Sequence, residues 1–263
     1  MTTVIKSSLS GGVLTLTMAG TKTKNSIGRT QYEALAAAFV DAAHDSAVGA
    51  IVITGEGGFF SSGGNVRGLE QSRLSPRSEV AKNTDSLFAM IMALRNCPKP
   101  VIAAIEGGAA GLGLSLALSC DMAVASAEAQ FTAAYVKIGL TPDGGATYFL
   151  REALPRQLVS EMCMLGRPIS AERLFAAGAL NEITAPGAAL DAGIALAKAC
   201  AAGARDAIGT IKAEIAVAGQ AALSDQMDYE GRMINAYRYG NEAGEGLAAF
   251  LEKRKPNFNG GAA

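Results

Sequence analysis

Apolar and polar positions along the chain follow two periods, and the change from one to the other divides the sequence. Val13-Leu14-Thr15-Leu16-Thr17-Met18 alternates apolar side chains with threonine, the pattern of a half-buried strand. Gly11-Gly12 before it predicts a turn. Apolar residues recur at helical spacing over residues 30–43. Ala50-Ile51-Val52-Ile53-Thr54 is a short continuous apolar run, as in a strand buried on both faces. Residues 55–64 are too rich in glycine and serine for either regular element. Residues 86–95 return to the helical period and stop at Cys97-Pro98-Lys99-Pro100. Residues 101–105 predict a second buried strand, 107–113 a second glycine loop, and 114–118 a helix. Residues 122–125 and the shorter Ala129-Gln130-Phe131 predict two further strands.

From residue 13 to about 145, strand and helix therefore alternate. This predicts an α/β fold with a parallel sheet and crossover helices. After Pro142 the strand signals almost vanish. Helices are predicted over residues 146–154, 156–164, 171–176, 190–202 and 204–218, then one helical stretch over 226–255 that stops at Pro256. Ser170 is placed to N-cap the helix that carries Glu172 and Arg173. The expected division is an α/β core over residues 1–200 and a helical segment over 201–263.

Composition narrows the function more than the fold. Hydrophobic residues make up 49% of the 263 and charged residues 18%, too apolar a balance for a disordered chain. The net charge of -1 gives no broad field to recruit nucleic acid or an anionic membrane. The most apolar stretch, residues 101–125, is broken by Glu106, Asp121 and several glycines, so a buried core segment is expected and not a membrane span. The four cysteines, Cys97, Cys120, Cys163 and Cys200, form no C-x-x-C pair. With no basic-then-apolar leader at Met1 to Lys6, they point to a reduced, cytoplasmic setting. The single histidine, His44, excludes a multi-histidine metal site and argues against a Ser-His-Asp triad; it lies on a surface helix as a bystander.

Two glycine loops carry the candidate chemistry. They are Phe60-Ser61-Ser62-Gly63-Gly64-Asn65 and Glu106-Gly107-Gly108-Ala109-Ala110-Gly111-Leu112-Gly113. Each follows a predicted parallel strand, and in open α/β sheets ligands bind at the carboxyl ends of the strands. Glycine admits positive φ and close backbone approach, and the N–H groups of a following helix N-terminus point outward. Two such donors converging on one oxygen make an oxyanion hole. Neither loop is a phosphate-binding or dinucleotide fingerprint.

The same loops, with their flanks, resemble the crotonase family of enoyl-CoA hydratases and isomerases. Phe60-Ser61-Ser62-Gly63-Gly64-Asn65 is similar to that family's F-S-A-G-A-D loop. The run from Lys99-Pro100-Val101 to Gly111-Leu112-Gly113 is similar to its K-P-V-I-A-A stretch and following glycine loop. Cys120-Asp121-Met122-Ala123-Val124-Ala125, Ala129-Gln130-Phe131, Gly139-Leu140-Thr141-Pro142-Asp143-Gly144-Gly145 and Phe250-Leu251-Glu252-Lys253-Arg254-Lys255-Pro256 continue the resemblance in order. It implies a spiral of ββα units with a C-terminal helical segment that builds homotrimers or dimers of trimers. It also implies an acyl-CoA thioester substrate, no metal and no separate cofactor. The implied N–H donors are those of Gly64 and Leu112, with Gly111 and Gly113 turning the loop around the latter.

Acid and base groups distinguish reactions within the family. Hydratases carry two glutamates, and here those positions hold Ser115 and Tyr135. Neither replaces a carboxylate near neutral pH. Asp143 stands where ring-isomerising and dehalogenating relatives place an aspartate, as proton carrier or nucleophile. An apolar pocket should raise its pKa toward a useful range. Asp143 also suits a helix N-cap, a role compatible with the catalytic one. The tryptophan and histidine that accompany the dehalogenase aspartate fall at Tyr135 and near Met92. Proton transfer by one carboxylate, as in an enoyl-CoA or ring isomerase, is the leading expectation. The alternatives are a hydratase, a hydrolytic dehalogenase, and an acyl-CoA-binding protein without turnover. Glu106 is expected to anchor loop backbone. Ser62, Asn65, Gly111, Ser115 and Tyr135 are expected to line the substrate, Lys24 and Arg67 to meet CoA, and Lys253 and Lys255 to reach a neighbouring subunit's CoA.

Overall fold

The computed structural model describes residues 3–258. Residues 1–2 and 259–263, which end the expected ranges 1–200 and 201–263, lie outside the described residues. The chain opens with β1 (Val4–Ser10), β2 (Val13–Ala19), α1 (Arg29–His44) and β3 (Ala50–Gly55). Next come α2 (Val66–Ser72), α3 (Arg77–Asn96), β4 (Val101–Ile105), β5 (Gly108–Ala110) and α4 (Leu112–Ser119). Then follow β6 (Met122–Ser126), β7 (Gln130–Thr132), α5 (Ala146–Ala153), α6 (Arg156–Leu165) and β8 (Ile169–Ser170). The chain continues through α7 (Ala171–Ala176), β9 (Glu182–Thr184), α8 (Ala189–Ala201), α9 (Arg205–Ala218), α10 (Leu223–Tyr237) and α11 (Asn241–Leu251).

Six strands form the main sheet in the order β1-β2-β3-β4-β6-β9. Only the β1–β2 pair is antiparallel. A second sheet, β5-β7-β8, stands beside it. The central strands alternate sides with period two. Ile51, Ile53, Val101, Ala103 and Ile105 enter the larger core with α1, α3 and α4. Val52, Ile102, Ala104 and Val124 enter a smaller core against Ala197 and Ala201 of α8. Burial on both faces explains their unbroken apolar sequence. Ser170 caps α7 as expected, accepting from Arg173 N–H at 3.2 Å.

Four expectations change. The strand β1 precedes the glycine turn and carried no apolar signal, because it is a largely exposed edge strand. Residues 107–113 are not all loop: Gly108–Ala110 pairs with β7. After Pro142, β8 and β9 add two short strands to the sheets. The stretch 226–255 is two helices, broken between Tyr237 and Asn241. A buried ion pair ties α9 to the main body. Lys212 Nζ lies 2.8 Å from Asp121 Oδ2 and also donates to the carbonyls of Leu94 and Lys99. Among the described residues no helix is long and apolar enough to cross a membrane.

Candidate active site

Two turns meet beyond the carboxyl ends of β3 and β4. Ser61 of the first pairs with Ala109 of the second as an isolated parallel bridge, and Ala110 N–H donates to Ser61 O at 2.9 Å. Gly63 has φ +86°, and a Cβ there would fall on the Ala110 carbonyl and lie 2.8 Å from Leu112 N. A Cβ on Gly113 would likewise collide with the Ser61 carbonyl. Glycine at these two positions is what lets the turns touch. The contact sets Gly63-Gly64 against the first turn of α4. Neither Gly64 N–H nor Leu112 N–H meets an acceptor among the described residues. For Leu112 this follows from its place as first residue of a helix capped by Gly111, which has no side chain to offer.

Glu106 corrects an expectation. Its side chain does not hold the loop; Oε1 accepts from Ala189 N–H at 2.9 Å and caps α8. Its main-chain carbonyl is what anchors the first turn, accepting from Phe60 N–H at 2.9 Å.

Ser115, Tyr135 and Asp143 come together. Ser115 lies on α4 and Tyr135 in the 3₁₀ turn Ala134–Ile138, and both are buried. Their hydroxyls are 3.0 Å apart. The Tyr135 hydroxyl donates to Asp143 Oδ1 at 2.9 Å, and the Ser115 hydroxyl to the Asp143 carbonyl at 3.1 Å. Both hydroxyl protons are thus directed at Asp143. Asp143 is not a side-chain cap. The residue that caps α5 is Gly145, without a side-chain bond, and only the Asp143 carbonyl receives Ala146 N–H.

Much of Asp143 is open to solvent, but its carboxyl group turns toward the buried Tyr135 hydroxyl. Desolvation raises its pKa above the ordinary aspartate value, while the Tyr135 hydrogen bond opposes that rise. Burial, and then the Asp143 charge, push the Tyr135 phenol well above its usual range, so it acts here as a neutral donor. Sequence reasoning missed Tyr32 on α1. This buried phenol feels the Asp143 charge too, which places it in the field of the same carboxylate. Its signal was a tyrosine on the apolar face of the helix predicted over 30–43.

Beside Asp143 and Gly144 opens an apolar cavity of about 440 Å³. Leu87, Phe88, Ile91 and Met92 of α3 and Phe149 of α5 form its walls. A Cβ on Gly144 would meet Leu112 Cδ1 and lie 3.6 Å from Leu87 Cδ1, so the cavity begins next to the start of α4.

The remaining candidates divide. Ser62 Oγ donates to Thr23 O, and Ser62 N–H to Lys24 O, so the Lys24 segment lies beside the first turn. Lys24 itself is exposed, its ammonium 4.9 Å from the Phe59 ring centre. Asn25 is buried and locks the segment, donating to the carbonyls of Glu56 and Phe59. Asn65 N-caps α2, accepting from Gly68 N–H at 3.3 Å. Arg67 is exposed on α2. Lys253 and Lys255 are exposed beyond α11, and neither bonds the glycine turns. Among the described residues no group of three or more His, Cys, Asp or Glu side chains is arranged to hold a metal ion.

Two main-chain N–H groups without an acceptor among the described residues thus stand near an apolar cavity that Asp143 lines. The sequence model described as Enoyl-CoA hydratase/isomerase matches residues 8–261. The chain is 30% identical over 257 residues to 1,2-epoxyphenylacetyl-CoA isomerase of Escherichia coli strain K12, covering 97% of this chain and 98% of that one. It is 28% identical to 2,3-dehydroadipyl-CoA hydratase of the same strain, covering 94% and 95%. The crystal structure of an enoyl-CoA hydratase from Polaromonas sp. JS666 superposes with a TM-score of 0.94 at 40% identity, covering 96% of this chain and 98% of that one. The chain belongs to the enoyl-CoA hydratase/isomerase family, and its fold is the crotonase fold.

Proposed function

We propose that this acyl-CoA enzyme is an isomerase in which Asp143 carries a proton between two carbons of the acyl group. The Gly64 and Leu112 N–H groups hold the thioester oxygen as negative charge develops on it. The observation that carries the reading is the Tyr135–Asp143 bond of 2.9 Å. Ser115 and Tyr135, where family hydratases have glutamates, spend their hydroxyls on Asp143. One carboxylate then remains at the mouth of the cavity. One base suffices to remove a proton at one carbon and return it at another, whereas hydration needs a group for water and a group for carbon. The test is a panel of 3-enoyl, 2-enoyl and aromatic-ring epoxide CoA esters followed by mass spectrometry and chromatography. Conversion without change of mass is expected. Rapid hydration of crotonyl-CoA would refute the reading, and binding without turnover of any ester would leave only an acyl-CoA-binding protein.

The Tyr135 bond has a pH consequence. It favours ionised Asp143, so Tyr135→Phe raises the Asp143 pKa further. The ionised form is the base. The acid limb of the kcat/KM profile should therefore move to higher pH in the variant, with the alkaline side unchanged. An unmoved limb would separate Tyr135 from the acid–base step.

We infer that the chain assembles as a trimer or a dimer of trimers through its C-terminal helices. Support comes from exposed apolar side chains on α9, α10 and α11, among them Ile215, Ile234 and Phe250, the last 82% exposed. Light scattering should give a mass of three or six chains; a monomer at micromolar concentration would contradict this.

A further inference from the structure

The cavity beside Asp143 has two chemically different ends. Asp143 and Gly144 mark one, beside Leu87, which lies about 12 Å before Arg95 along α3. Arg95 and Asn96, at the last turn of α3, mark the other. Between them Leu87, Phe88, Ile91 and Met92 form a stripe at helical spacing, faced by Phe149. An apolar channel of this kind takes an acyl chain, and its far end reads what the chain carries.

Arg95 is half-buried and short of partners. Its guanidinium lies 5.7 Å from the Phe149 ring centre. Its one hydrogen bond is long, 3.5 Å to the Ser119 carbonyl. Among the described residues no carboxylate lies within ion-pair distance of it. A guanidinium has five donors and keeps its charge throughout the accessible pH range. Most of those donors here are unspent, at the end of a cavity with apolar walls.

The reach can be stated. Helix α4 begins at Leu112 and ends at Ser119, so the group that bonds Ser119 stands about 12 Å along the helix from the Leu112 N–H. A thioester held at Leu112, with its acyl chain laid in the cavity, meets Arg95 after a medium-length chain. An anionic chain end is also kept away from the like charge of Asp143.

We propose that the acyl group this enzyme selects ends in a carboxylate, read by Arg95 with Asn96 beside it. The proposal rests on the acyl-CoA reading of the same cavity. A carboxylate and a guanidinium form the charge-assisted, two-bond contact that arginine favours. Arg95 determines specificity and touches no reacting atom.

The test uses two saturated esters that cannot react, octanoyl-CoA and the mono-CoA ester of octanedioic acid. Their affinities for the intact enzyme are measured by calorimetry. The carboxyl-ended ester should bind at least about tenfold more tightly. Arg95→Gln should erase that preference and leave octanoyl-CoA binding as it was, which also reports that the variant is folded. Equal binding of the two esters by the unaltered enzyme overturns the proposal and leaves the acyl-CoA reading standing. Binding of neither ester overturns both. The comparison in the unaltered enzyme decides the matter even where the variant fails to fold.

Discussion

Asp143→Asn should lower isomerase turnover by about a hundredfold or more, the usual scale of general acid–base catalysis. The substitution is nearly isosteric. Its amide oxygen can still accept from the Tyr135 hydroxyl, so the hydroxyl cluster has no reason to rearrange. What disappears is a group able to take and return a proton. The loss should fall on kcat, with ester affinity retained, because the walls of the cavity come from α3 and α5. Single-turnover rates and equilibrium binding of a saturated ester separate the two quantities. Wild-type turnover in the variant would remove Asp143 from the mechanism.

A comparable loss is expected from a residue with no side chain. At Gly63, an added Cβ would overlap the Ala110 carbonyl and approach Leu112 N to 2.8 Å. The residue also sits at φ +86°, which costs an L-residue about 1–2 kcal/mol. Gly63→Ala can relieve the overlap only by pushing the two turns apart, which displaces one donor from the other. Removal of one oxyanion donor costs about 10²–10³ in kcat. The strain is local, so cooperative unfolding should persist at a modestly lower temperature while kcat collapses. Unaltered kcat in a folded Gly63→Ala protein would mean that the two turns do not act as a unit.

The sequence announced some of this more clearly than the rest. The strands β3, β4 and β6 were legible because burial on both faces leaves an unbroken apolar run. β1 was not, since an exposed edge strand is free to be polar. The three residues of β5 read as loop because only pairing with β7 makes them a strand. The gap between α10 and α11 was hidden because both helices keep a helical period up to it. In the site, the two glycine turns and the positions of Ser115, Tyr135 and Asp143 could be named from family resemblance. Their bonds to one another could not, because a hydroxyl's partner depends on packing between α4, the 3₁₀ turn and the start of α5. The same reason hid Tyr32 and Arg95. Each lies on a helix whose period marks a buried face without saying what that face meets. The Asp143 ambiguity was real in sequence, since a Pro-Asp-Gly-Gly run suits a cap, and the Tyr135 bond resolves where the carboxyl group points.

Glu106 behaves as a strut. Its own carbonyl grips the Phe60 amide, and its carboxylate grips the first amide of α8 on the opposite side of the main sheet. The seating of the first glycine turn therefore depends on the layer that α8 forms against the sheet. A slip in how α8 seats would be conducted through one residue to the proposed catalytic corner, and such a defect would look like a chemical one although no reacting group had changed.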